Sequence, residues 1–258
     1  MRYLNEGYDD LIRHSYAYDQ KTQKTSSAWK LVKTLYNKNY VYSSDTEPKI
    51  PKKIHQIWLG GKLPGKYKKY CDSWQKFNPS WEYKLWTDDD LNSIKITKKE
   101  IFDFCPNYAN KSDILRYEIL NQHGGLYVDT DFECLKSFDD LLYLDFFAGF
   151  AHDKDMILYT ALIASVARHP ITDNCVNMLK KGYNGNDTMK VMRTTGPYYF
   201  TECFLADTTK DMNGVVIFPT DFFYPFPNNM RHTSNFKKYI KQCSYAIHYW
   251  DVSWAKNK

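Results

Sequence analysis

What the chain lacks narrows its identity first. No run of about 18 apolar residues occurs anywhere, so no segment reads as a membrane-spanning helix. No basic stretch followed by an apolar core opens the chain as a secretory leader would. The expectation is a cytoplasmic protein, soluble or at most peripheral at the inner face of a membrane. The six cysteines, Cys71, Cys105, Cys134, Cys175, Cys203 and Cys243, are widely spaced, with no CxxC pair and no zinc-type spacing. They read as free thiols in a reducing compartment. No internal repeat or low-complexity tract is present. Neither sign of charge dominates: 35 Lys and Arg stand against 30 Asp and Glu, for a net charge of +5. That mild excess suits anionic ligands such as nucleotide diphosphates, or loose attraction to an anionic surface, and does not indicate nucleic-acid binding.

What is abundant is aromatic. With 22 tyrosines and 7 tryptophans in 258 residues, the chain is rich in planar amphipathic rings, which suit both buried cores and the stacking of bases and sugars. At 43% hydrophobic it is long enough to bury one substantial catalytic domain.

Residues 1–47 are polar and end in a turn-like SSDT before Pro48 and Pro51, which reads as a helical appendage to a catalytic domain over 48–258. Within it, Ser27 caps an expected helix over 28–38 whose Trp29, Val32, Leu35 and Tyr36 fall at helical spacing among lysines. A basic amphipathic helix of this kind is compatible with peripheral membrane contact or with packing on its own domain. Residues 53–59 (KIHQIWL) alternate and run into Gly60-Gly61, as a strand entering a turn does. A helix over 66–77 and a strand over 82–86 follow, then a helix capped by Asn110 or Ser112 and closed by Gly124-Gly125, and a strand over 126–132. This rhythm predicts an α/β fold with a mostly parallel sheet flanked by helices. Further on, strands are expected over 146–150, 215–218 and 245–250, helices over 169–181 and from Thr195 to about 205, and an aromatic loop over 219–227.

The chemistry concentrates in Tyr127, Asp129 and Asp131. Side chains two apart in a strand share a face, which places two carboxylates and a phenol together, roughly 7 Å apart. Such a pair is costly unless a cation or hydrogen-bond donors offset it. Hard oxygen ligands suit Mn2+ or Mg2+, which take their remaining ligands from water and substrate phosphates. On the preceding helix Asp113 and Arg116, three apart, lie on one face, either as an ion pair or as separate ligands for sugar hydroxyls and phosphate.

Residues 111–131 (KSDILRYEILNQHGGLYVDTD) resemble the signature of the Asp-x-Asp sugar-transferase family, glycosyltransferase family 32, which contains initiating α-mannosyltransferases and bacterial capsule enzymes. They are also similar to the catalytic core of the clostridial glucosylating toxins. The resemblance extends to residues 50–60 (IPKKIHQIWLG), 81–86 (WEYKLW), 195–197 (TGP) and 248–254 (HYWDVSW). It implies a GT-A fold, a Rossmann-like nucleotide-binding sheet, and a retaining transferase that uses Mn2+ or Mg2+ and a nucleotide-sugar donor, with UDP favoured over GDP, to modify a glycan or polysaccharide acceptor.

Carried over residue by residue, the resemblance places Trp58 on the nucleobase, with His55 and Gln56 lining the same mouth. Asp113 and Arg116 would bind donor sugar and diphosphate, and Tyr127 would sit by the ribose or sugar. Asp129 would contact ribose and sugar, or the metal through water, while Asp131 and His248 would ligate the metal directly. Ser253 and Trp254 would contact the diphosphate. Trp58 could equally be core and His248 a satisfied histidine on a terminal strand. The TGP segment reads as a simple turn or as an amide cluster for an anion or acceptor, and the loop 222–226 as an acceptor platform or a hydrophobic clasp. The competing functions are a toxin-like effector that glycosylates a protein, a metal-dependent phosphodiesterase or nuclease on the same carboxylates, and a binding module without turnover.

Overall fold

A computed structural model describes residues 8–13, 26–41, 47–152, 156–181, 187–206 and 212–251. Two helices open it, α1 (Tyr8–Arg13) and α2 (Ser27–Tyr36), the second capped by Ser26 rather than Ser27. Strand β1 (Lys53–Ile57), helix α3 (Gly65–Phe77) and strand β2 (Glu82–Trp86) follow, then α4 (Lys99–Phe104), which sequence patterning did not anticipate. Helix α5 (Tyr108–His123) starts at an Asn107 cap whose side chain accepts from the Asn110 amide, one turn ahead of the expected cap.

After α5 come β3 (Gly125–Val128), β4 (Phe132–Cys134), β5 (Phe146–His152) and β6 (Ile157–Ser165). The remaining elements are α6 (Pro170–Asn177), α7 (Thr188–Thr194), α8 (Pro197–Leu205), β7 (Val215–Phe218), α9 (Thr220–Phe223) and β8 (Ala246–His248). Six strands form one sheet in the order β2-β1-β3-β6-β5-β7, and β4 pairs with β8 in a second, two-stranded sheet. Pairs β1–β2, β1–β3 and β5–β7 are parallel, whereas β6 is antiparallel to both neighbours. The fold is thus a mixed, mostly parallel sheet flanked by helices, as the α/β rhythm predicts.

Helix α5 lies against β1, β3 and β6. Ile114, Leu115, Tyr117, Ile119 and Leu120 are all buried, and so are Asp113, Arg116 and Glu118, so the helix is enclosed on more than one face. Gly125 allows the hand-off from this helix to β3. Its φ is +104°, and a Cβ there would lie 2.7 Å from the Lys53 carbonyl oxygen of β1. Helix α2 packs on β7, with Trp29 edge-on to Phe150 at 4.9 Å, and Asn39 just beyond it donates to the carbonyls of Met212 and Val215. The apolar face read from its spacing therefore meets the sheet, with Trp29, Val32, Leu35 and Tyr36 buried.

Three expectations change. The strand predicted over 126–132 is two strands separated by a turn at 129–131, because Asp129 N–H donates to Ala161 of the large sheet while Phe132 begins pairing with His248 of the small one. Strand β6, absent from the sequence reading, is a nine-residue, mostly apolar strand buried on both faces, which shows no alternation to betray it. The aromatic loop contains α9, and Phe222, Phe223, Tyr224 and Phe226 are buried in the core. They form a hydrophobic clasp rather than an acceptor platform.

Trp74 of α3 is fully buried, and its indole N–H donates to the Phe132 carbonyl at 2.9 Å, which pins the helix to β4. Trp74→Ala is expected to cost about 3–5 kcal/mol of stability by urea unfolding. A loss under about 1 kcal/mol would show that the small sheet does not depend on this anchor.

Candidate functional site

The turn at 129–131 is held from three sides. Its closing bond runs from Phe132 N–H to the Asp129 carbonyl at 3.2 Å, and the same carbonyl accepts from the Gln56 side-chain amide at 3.1 Å. The Asp131 carbonyl accepts from Tyr249 N–H, just after β8. Backbone pairing with two different sheets therefore fixes where the two carboxylates project.

Beneath them lies a buried ion network centred on Arg116. Its Nη2 meets Asp113 Oδ1 at 3.1 Å, and its Nη1 meets Asp129 Oδ1 at 3.4 Å and donates to the Thr160 carbonyl at 2.7 Å. Its Nε donates to the Ser112 carbonyl, and the guanidinium lies 4.6 Å from the centre of the Tyr127 ring. The Tyr127 hydroxyl donates to Asp129 Oδ1 at 2.6 Å. Asp113 Oδ2 accepts from the Thr195 hydroxyl at 2.9 Å, and that hydroxyl in turn accepts from the Asn110 amide at 2.8 Å. Burial pushes the Asp113 carboxyl up to about 6 against the opposing pull of Arg116 and the Thr195 hydroxyl. Burial also raises Asp129, with Arg116 opposing it and the Asp131 charge adding to it.

At the outer edge Asp129, Asp131 and His248 each offer a ligand atom, all within 4.8 Å of one another. His248 Nε2 faces Asp131 Oδ2 at 3.2 Å, and its buried Nδ1 has no hydrogen-bond partner among the described residues. If Nδ1 carries the proton, the Nε2 lone pair faces a carboxylate oxygen, which is unfavourable unless a proton or metal ion lies between them. Arg116 pairs with Asp113 and Asp129 but not with Asp131, leaving negative charge for a cation to offset. Oxygen and imidazole donors of this kind fit Mn2+ or Mg2+.

The structure brings together Asp113, Arg116, Asp129, Asp131 and His248, and redistributes the others. His55 does not line the cleft: Trp86 donates to its Nδ1 at 3.2 Å and its Nε2 meets the Gly124 carbonyl at 2.9 Å, so both ring nitrogens are used internally. Burial lowers its pKa to about 4. Gln56 is also buried and occupied, donating to the Asp129 turn and accepting from the Tyr83 hydroxyl at 2.6 Å, so it holds the turn rather than forming a mouth. Tyr127, only 1% exposed, supports Asp129 from below and has no face open to a sugar. Trp58 follows β1 and is half-buried, 5.1 Å from the ring of Tyr67. Ser253 and Trp254 lie outside the described residues.

Sequence reasoning missed three participants. The Thr195 side chain, rather than a cluster of backbone amides, engages the site. Asn110 was visible in principle, one helical turn before Asp113 on the same face. Asp251, whose backbone N–H donates to Asp131 Oδ2 at 2.7 Å while its carboxylate pairs with Lys66 and accepts from Tyr67, lay inside the 248–254 segment of the resemblance but was given no role there.

Comparison with known proteins places the chain in a family. Residues 64–147 match the glycosyltransferase sugar-binding region containing the DXD motif, and residues 164–258 match the α-1,4-glycosyltransferase conserved region. An uncharacterized glycosyltransferase of Acanthamoeba polyphaga mimivirus is 32% identical, over 80% of this chain and 84% of its own. The chain belongs to the DXD sugar-transferase family. Inositol phosphoceramide mannosyltransferase 2 of Schizosaccharomyces pombe is 30% identical to this transferase over 58% of the chain, which spans 45% of that relative's length. A mannosyl phosphorylinositol ceramide synthase of Saccharomyces cerevisiae is likewise 30% identical, with 43% of its length spanned. Among solved structures, the PaToxG glycosyltransferase superposes with a TM-score of 0.54 at 21% identity, covering 73% of this chain and 79% of its own. The transferase has the GT-A fold. No described helix is long and apolar enough to cross a membrane.

Because Asp113 is held above the usual carboxylate value of about 3.9, the folded state keeps a proton that the unfolded state releases. Its contribution to stability therefore falls as pH rises from about 4 through about 6 and is level above that. Thr195→Val removes a donor to the ionised form. The Asp113 carboxyl, followed by carbon NMR, is expected to titrate about 0.5–1 unit higher in this variant, while Thr195→Ser keeps the wild-type midpoint. An unmoved midpoint in the valine variant would show that the hydroxyl does not hold the carboxylate.

Proposed function

We propose that this protein is a metal-dependent, retaining glycosyltransferase that moves a sugar from a nucleotide-sugar, with UDP as the nucleotide, to a glycan or polysaccharide acceptor. The observation that carries the reading is the convergence of Asp129, Asp131 and His248 within 4.8 Å, directly above the Asp113–Arg116 pair. These three residues would hold Mn2+ or Mg2+, which when bound offsets the charge of a departing diphosphate.

Around that centre the chain's own groups do the positioning. Arg116, fixed by Asp113, Asp129 and two backbone carbonyls, sets a preorganised positive charge beneath the carboxylates of the motif. Asp113 and Asp129 orient sugar hydroxyls, and Trp58 offers its half-buried face to the base. Asp113 and Asp129 are already engaged by Arg116 and by hydroxyl donors, which disfavours either as a nucleophile and supports attack from the face the diphosphate leaves. In that step the sugar–phosphate bond breaks with its electron pair going to the diphosphate. The acceptor oxygen forms the glycosidic bond, and its proton passes to the leaving phosphate oxygen.

We assign the catalytic unit to residues 48–258, braced by α2, and a reducing compartment on the six unbridged thiols. One second reading has a specific basis. The fission-yeast relative named as a mannosyltransferase makes a GDP-linked mannose the alternative donor.

Calorimetry with UDP and GDP, with and without Mn2+, tests the donor half. One nucleotide is expected to bind only with metal, and Asp131→Asn to lose at least about tenfold of that affinity and all detectable turnover. Full activity of the variant with metal present would remove Asp131 from the ligand set. Trp58→Ala is expected to weaken nucleotide binding about tenfold, and unchanged affinity would return Trp58 to the core.

A further inference from the structure

The turn that sets Asp129 beside Asp131 depends on a side chain two strands away from the motif. The Asp129 carbonyl can only accept, so the Gln56 side chain must present its N–H2 group to it, as it does at 3.1 Å. That choice turns the amide oxygen the other way, toward β2, in a side chain with no exposed surface. A buried carbonyl oxygen needs a donor there, and the Tyr83 hydroxyl supplies one at 2.6 Å.

The sheet brings the phenol within reach. Strands β1 and β2 run parallel with Tyr83 opposite Ile54 and Leu85 opposite Gln56, so Tyr83 and Gln56 are diagonal neighbours on one face. Burial holds the Tyr83 hydroxyl far above its ordinary titration range, and the Cys71 thiol of α3 beside it adds to the shift. The hydroxyl therefore stays protonated and keeps its role as donor. It joins three elements, α3, β2 and β1, to the carbonyl of the motif's first aspartate.

Removing this one oxygen has a specific consequence. The hydroxyl is what fixes which way round the Gln56 amide sits, because an amide turned over would aim its oxygen at the Asp129 carbonyl, where two acceptors repel. The carbonyl would then keep one donor, the Phe132 N–H at 3.2 Å that closes the turn. Asp129 would lose a tie to β1 while Asp131 kept its own ties to Tyr249 and Asp251.

We propose that Tyr83 is a positioning residue for the motif: its hydroxyl fixes the polarity of the Gln56 amide, and through it the placement of Asp129 relative to Asp131 and His248. The inference rests on the metal-dependent reading above and adds to it a residue that acts through Gln56 rather than on the metal or the donor.

The test compares wild type, Tyr83→Phe, Gln56→Met and the double variant. Hydrogen exchange in the metal-free protein, followed by NMR, reports on the turn itself. In Tyr83→Phe the Phe132 amide is expected to exchange at least about tenfold faster, whereas the Gly124 amide, bonded to the Leu120 carbonyl at the end of α5, keeps its wild-type rate. Gln56→Met is expected to show the same change, and the double variant no more than the larger single effect, because the two side chains act in series. Mn2+ binding, read from the electron spin resonance of the free ion, is expected to weaken about tenfold in all three. Tyr83→Phe removes no ligand and no charge, so a hydroxyl with a merely structural role would leave Mn2+ affinity unmoved.

The proposal is overturned if Phe132 exchange in Tyr83→Phe stays at the wild-type rate, or rises only together with Gly124 exchange as general loosening would make it do. Full additivity in the double variant, or an unchanged Mn2+ affinity in Tyr83→Phe where the wild type binds the ion, overturns it as well. A wild type that does not bind Mn2+ is a different result. It removes the metal-dependent reading, and exchange at Phe132 still decides whether Tyr83 orders the turn.

Discussion

Everything in the site depends on a guanidinium placed where water does not reach. An unpaired charge in that position costs several kcal/mol, so Arg116 is tolerable only because Asp113, Asp129, the carbonyls of Thr160 and Ser112 and the ring of Tyr127 surround it. The partners come from three parts of the fold. Asp113 and Ser112 share its helix, Thr160 is on β6, and Asp129 and Tyr127 come from β3 and the turn that follows. The requirement to satisfy one cation thus ties the central helix, the sheet and the motif into a single arrangement. Thr195 extends it to the segment ahead of α8, since the Tyr117 hydroxyl donates to the Thr195 carbonyl at 2.6 Å while the Thr195 hydroxyl holds Asp113.

The aromatic abundance divides between two tasks. Most rings fill the core, where Phe218, Phe222, Phe223 and Tyr245 pack edge and face around α9. A smaller group lies near the cleft: Trp58, Tyr67, Tyr70 and Tyr249. Composition allowed both uses and could not divide them, because a tyrosine at a pocket wall and one in a core have the same spacing signature. Exposure separates most of them: Tyr224 is buried, whereas Trp58, Tyr70 and Tyr249 remain half-exposed, and Tyr67 is buried like the core rings.

The large features of the fold were legible in the sequence where local signals agree with tertiary structure. Strand β2 and strand β7 fall where alternation or an apolar run bounded by turn residues places them, and Gly124-Gly125 marks the end of α5. Asp129 and Asp131 stood out by sharing a face of an apolar strand, Asp113 and Arg116 by their helical spacing just before it, and His248 only through the family resemblance. What stayed hidden depended on partners distant in the chain. The alternation through 126–132 is real, but Asp129 pairs with Ala161 and Phe132 with His248, so the strand breaks between them. The family resemblance assigned His55, Gln56 and Tyr127 to the ligand. Their polar atoms are claimed by Trp86, Gly124, Tyr83 and Asp129, and none of those pairings is local enough to read from spacing.

The break inside the motif has a mechanical consequence. Asp129 rides on the large sheet through Ala161 and Gln56, whereas Asp131 rides on the small sheet through Tyr249 and Asp251. The two carboxylates are neighbours in sequence but passengers on separate bodies, and the gap between them is a gauge of how those bodies sit. Whatever tightens the seating of β8 and the residues after it narrows the spread of that gap, and whatever grips both carboxylates at once holds the chain's last strand in place. By thermodynamic reciprocity the two events share one coupling free energy. Order in the C-terminal strand and affinity at the motif are then a single property, read from opposite ends.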